Sequence, residues 1–151
     1  MLLILHSALR WLVLLGLGYA IYRAYRGYAT SSAFTPTDNL VRHGTATVAH
    51  VQLLVGIVLY TRSPVIRYFW NHFPEAIHRT DTAFFGLIHL SLMLTAIAVV
   101  TLGSAFAKRK ATDRGKFTTM LVWFSVALFL ILIAIPWPFS PLAQRPYFRA
   151  F

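Results

Sequence analysis

Hydrophobic residues in this chain gather into four long runs, at about 2–22, 40–61, 82–107 and 117–137, separated by short polar or basic connections. Each run can form a helix that crosses a hydrocarbon core of about 30 Å, which takes about 20 residues. None shows the sustained apolar and polar alternation of a barrel strand. The pattern predicts an all-α integral membrane protein, a four-helix up-down bundle forming one transmembrane domain over residues 1–151. Tyr19, Tyr22 and Tyr25 close the first run, Tyr60 the second, and Trp137 lies in the IPWPF sequence that ends the fourth. Amphipathic aromatics collect at such interface positions, and Pro136 and Pro138 stop the last helix. Residues 63–81, SPVIRYFWNHFPEAIHRTD, mix aromatic and basic side chains and predict a segment lying along the membrane surface, with His72 and His78 as interfacial side chains.

Composition agrees with the pattern. The chain is 58% hydrophobic and 12% charged, against a charged fraction of about 25% in soluble domains. It has no cysteine, which excludes disulfides, iron–sulfur clusters, thiol catalysis and covalent c-type haem attachment. The opening MLLILHSALRW has no basic n-region, and no small-residue cleavage site follows it, so the first run is expected to remain as a span. The net charge of +10 does not point to nucleic acid, because the basic residues stand at the ends of the runs, where anionic lipid head groups meet them. Eight of them fall in 23–42 and 108–116, against Arg62, Arg67, Arg79, Arg145 and Arg149 on the other side. That bias predicts a multi-pass protein of the inner (plasma) membrane, with the two basic loops cytoplasmic and both termini periplasmic.

Three histidines, His6, His50 and His89, are each sunk in a different run. An ionisable group at membrane depth is costly and marks an ion path, a proton relay or a bound cofactor, and neutral imidazole is a common ligand of iron. At 1.5 Å per residue, His6 lies about 9 Å and His89 about 7 Å outward of the midplane. His50 lies close to the midplane. Two histidines holding one haem stand at similar depth, so His6 with His89 is the preferred pair and His50 with His89 the competing one. Gly56 and Gly86 leave space for a flat ligand, and Ser7, Thr47 and Ser91 are candidates for orienting an imidazole. Arg10 lies four residues after His6, on the same helix face, where its guanidinium can pair with a haem propionate; snorkelling to the interface is the alternative. Zinc and di-iron sites usually also recruit cysteine or carboxylate, and neither is present inside the runs.

HSALRWLVLL at 6–15, Thr37 with Asp38, AHVQLLVGIVLY at 49–60, IHLSLMLTAIAVV at 88–100 and IPWPF at 135–139 resemble the small four-span proteins of Bacteroidota and relatives labelled cytochrome B. The resemblance covers most of the chain. It implies non-covalent haem b held by His6, His50 and His89, with electron transfer beside membrane quinone or a respiratory complex. The acidic residue associated with the position before the third-span histidine is replaced here by Ile88.

The expected function is therefore that of a haem-b electron carrier, an accessory subunit or partner of a respiratory or photosynthetic complex. Its partners are the lipid bilayer and other membrane subunits, with quinone as a candidate second cofactor. Two other readings remain. One is a quinol or superoxide oxidoreductase at the outer face; the other is a non-haem structural or proton-conducting protein. The connections provide no soluble catalytic unit, which favours a carrier or subunit over a self-contained enzyme.

Overall fold

The structure is a computed structural model that describes residues 1–145. Arg149, counted above with the outer basic residues, lies outside them. The described residues contain seven α-helices and no strand: α1 (Leu2–Ala29), α2 (Pro36–Arg62), α3 (Pro64–Asn71), α4 (Phe73–Ala76), α5 (Thr80–Ala83), α6 (His89–Arg109) and α7 (Asp113–Ala134). A π-helical turn, Phe84–Ile88, joins α5 to α6, so the third span is continuous over Thr80–Arg109. Together α1, α2, Thr80–Arg109 and α7 are long and apolar enough to cross a membrane, and the chain is a multi-pass membrane protein. Around the bundle α1 packs on α2, α2 on α6, α6 on α7 and α7 on α1, leaving α1 and α6 facing across a diagonal.

Local chemistry sets the helix ends. Thr35 caps α2: its hydroxyl accepts from the Asp38 N–H, while the Asp38 carboxylate accepts from the Thr35 N–H and hydroxyl. Pro36 occupies the first turn, where its missing N–H costs nothing. Ser63, extended before Pro64, ends α2 and caps α3. Ile135, extended before Pro136, ends α7, so the last helix stops three residues short of Trp137, whose indole N–H returns to the Leu132 carbonyl at 2.8 Å.

Lipid gives helices no hydrophobic reason to associate, so close packing through small residues has to hold them. The core is accordingly rich in alanine: Ala20 and Ala24 of α1, Ala96 and Ala107 of α6, and Ala127 of α7 are buried around Leu17, Val100, Phe117, Met120 and Phe124. Gly27 receives the Phe117 ring and Gly103 the Trp123 side chain; a Cβ at either would overlap it. Large apolar residues such as Leu12, Leu15, Leu54 and Phe129 point outward, to where lipid lies.

The helices extend past the apolar runs and carry charge with them. Arg23 donates to Asp38 at 2.7 Å, joining α1 to α2, and Asp38 is 2% exposed. Buried Arg42 of α2 donates to the carbonyl and hydroxyl of Ser104 on α6 and to Asn39. A carboxylate and a second buried cation thus stand inside the bundle, at the end opposite His6 and His89. The pairing yields a stability prediction. Asp38→Asn weakens both the helix cap and the ion pair and should cost about 2 kcal/mol, somewhat less than a fully buried pair because Arg23 keeps part of its side chain exposed. Asp113→Asn, whose carboxylate is 44% exposed beside Lys116 where that of Asp38 is buried, should cost less than about 0.5 kcal/mol. Unfolding titrations in mixed detergent compare the two; equal losses would contradict the burial argument.

Candidate functional site

His6 of α1 and His89 at the head of α6 meet across the diagonal of the bundle. Their ring centres are 6.5 Å apart with planes at 67°. The two histidines that sequence position sets at similar depth thus stand side by side. His89 donates through Nδ1 to the carbonyl of Ala134 on α7 at 2.7 Å, the only role open to Nδ1 beside a carbonyl. Neutral His89 then carries its lone pair on Nε2. His6 lies against Gly56 of α2, where a Cβ would stand 3.3 Å from Cε1, and its Nδ1 is buried without a hydrogen-bond partner. Gln52, one turn before Gly56, donates to the His6 carbonyl at 2.9 Å. Four helices thus converge on two imidazoles.

His50 lies elsewhere. It is exposed on α2, six residues or about 9 Å below Gly56 along the helix. Its Nδ1 donates to the Ala46 carbonyl at 2.7 Å, and its Nε2 is 3.1 Å from the Thr101 hydroxyl of α6. Arg10 donates to Ser7 at 3.3 Å and stands 5.4 Å from the centre of the Trp11 ring, one turn from His6. Thr47 and Ser91 are exposed and bond only within their own helices. His72 stacks on Tyr68 in the surface segment, and His43 and His78 are exposed.

The π turn before His89 carries no sequence signature read above. Such turns insert a residue into a helix and recur at functional sites. Here buried Phe69 of α3 occupies the space over Gly86, where a Cβ would overlap its ring, so Gly86 serves packing and not a flat ligand. Tyr60 donates to the Gly86 carbonyl at 2.8 Å and accepts from the Trp70 indole at 2.9 Å. A hydroxyl taken as an interface marker therefore satisfies a carbonyl in the π turn. The His89 N–H reaches back to the Phe84 carbonyl, and the Phe84 ring lies 5.7 Å from the imidazole.

Can these residues hold a metal group? A metal–imidazole bond is about 2.0 Å and the ring centre lies about 1.2 Å further, so the centres of two rings sharing one metal stand at most about 6.4 Å apart. The observed 6.5 Å is close to that limit. Among the described residues no three His, Asp or Glu side chains gather at one point, so an ion held by side chains alone lacks ligands. Iron in a porphyrin already has four and takes its remaining ligands from the protein. The donor set fits haem. Cavities of about 440 and 210 Å³ lie elsewhere: one at the surface segment, one in a groove between α1 and α2.

The chain matches no protein-family model, no curated protein and no solved structure. Geometry carries the functional reading.

The π turn is testable. Tyr60→Phe leaves the Gly86 carbonyl and the Trp70 indole short of a partner and should cost about 2 kcal/mol. Gly86→Ala drives a methyl into the Phe69 ring and should cost about 1–3 kcal/mol. Detergent unfolding midpoints report both, and losses no larger than that of an exposed control such as Thr61→Val would contradict the assignment.

Proposed function

We propose that the chain is a membrane haem-b electron-transfer protein in which His6 and His89 would hold the iron. The observation that carries this reading is the meeting of two imidazoles from diagonal helices at 6.5 Å, in a chain without cysteine. Haem held by His6 and His89 would supply a one-electron couple. The protein's part is orientation and charge. The Ala134 carbonyl fixes the His89 ring and raises the basicity of its other nitrogen. Gly56 gives His6 its place, and Gln52 ties the His6 backbone to α2. Arg10 sets a positive charge one turn away, suited to a propionate. Neither of these two cavities is lined by the pair.

Short connections favour a carrier or accessory subunit of a respiratory or photosynthetic complex, exchanging electrons with quinone or a partner subunit. The loops at 30–35 and 110–112 share one end of the bundle, where Arg114 donates to the Tyr28 hydroxyl. Their basic residues favour an inner-membrane protein with that end cytoplasmic and both termini periplasmic.

Visible spectra of purified variants test the ligand assignment. His6→Ala and His89→Ala should each abolish the six-coordinate low-spin spectrum, while His50→Ala and His43→Ala should retain it. Loss in His50→Ala with retention in His6→Ala would transfer the assignment to His50 and His89. Arg10→Gln removes a positive charge that favours the more negative reduced state, and should lower the reduction potential by about 40 mV, the equivalent of about 1 kcal/mol. An unchanged potential in a folded, fully loaded variant would place Arg10 outside the site's electrostatics.

A further inference from the structure

We propose that the cavity between α3 and the head of the third span binds the phosphate of an anionic phospholipid. This site is separate from the histidine pair and does not depend on haem. The cavity has a volume of about 440 Å³ and is lined by Arg79, Arg145 and Asp81 together with Val65, Tyr68 and Phe85. Two guanidiniums against one carboxylate leave it with a net positive charge. The Arg79–Asp81 contact is 3.8 Å, longer than a hydrogen bond, between side chains 59% and 65% exposed. Such a pair holds Arg79 only loosely. Arg145 lies over the Phe85 ring at 4.9 Å. A guanidinium held over an aromatic ring can keep donors for an acceptor, and its fork matches two phosphate oxygens.

Position selects a lipid over a soluble anion. The cavity lies where α2 ends and the third span begins, beside α3, whose Tyr68 and Trp70 are exposed at the level where interfacial aromatics collect. Val65 and Phe85 extend its wall with apolar surface suited to glycerol and the first acyl carbons, whereas free phosphate uses the arginines alone. A basic side chain near a membrane surface contributes about 1 kcal/mol toward an anionic lipid. Each arginine therefore gives about fivefold preference over a zwitterionic lipid, and the two together about 25-fold.

Native mass spectrometry of the delipidated full chain, offered equal phosphatidylglycerol and phosphatidylcholine in detergent, measures that preference directly. The expected result is retention of phosphatidylglycerol about 25-fold over phosphatidylcholine, falling to near one in Arg79→Gln/Arg145→Gln. Arg26→Gln/Arg109→Gln, at the opposite end of the bundle, should keep it. Inorganic phosphate in excess should not displace the lipid. Equal retention of the two lipids, a preference that survives in the double variant or disappears equally in the control, or displacement by inorganic phosphate would overturn the proposal. Should the double variant fail to fold, each single variant is expected to lose about fivefold, and no loss in either would overturn it equally.

Discussion

A polar atom at membrane depth has no water to turn to, so it must find its partner within the bundle. Five such contacts organise this protein. At one end Arg23 takes Asp38 and Arg42 takes Ser104, each joining two neighbouring helices. Lower on the same α2–α6 seam His50 meets Thr101. At the other end His89 takes a carbonyl of α7 and Gln52 takes a carbonyl of α1. Apolar packing through alanine and glycine fills the space between, but it distinguishes poorly among registers; the polar contacts distinguish sharply, because a slip of one residue strands a buried donor. The histidine pair belongs to this system, and His6 Nδ1, like Gln52 Oε1 beside it, is buried without a partner.

The π turn shows how the two kinds of constraint meet. Phe69, from the surface segment, needs a flat seat, and Gly86 supplies it. The extra residue alters the phase between α5 and α6 and leaves the Gly86 carbonyl to Tyr60. His89 follows immediately, its N–H still engaged in the turn. The surface helix therefore packs on the turn that carries His89 through one ring, one glycine and one hydroxyl.

Much of this was legible in the sequence, because four apolar runs and the absence of alternation leave few architectures open. Counting residues along two antiparallel helices was enough to pair His6 with His89, because each residue adds a fixed rise. Other features need three dimensions. Arg23 and Asp38 are 15 residues apart and lie beyond the apolar runs, so composition assigns them to loops; a capping box and an ion pair draw them into helices instead. The exposure of His50 depends on rotation about the α2 axis, and a mean hydropathy that is high on every face gives no phase. The π turn escapes because its cause, the Phe69 ring, comes from another element.

The central claim is that the paired imidazoles of His6 and His89 hold haem iron. A quantitative pyridine haemochrome assay on the chain expressed with adequate haem supply tests it most directly. The account predicts non-covalent haem b in a one-to-one ratio with protein, extractable by acid acetone. A folded, monodisperse preparation that carries no haem and takes up none on titration would contradict it.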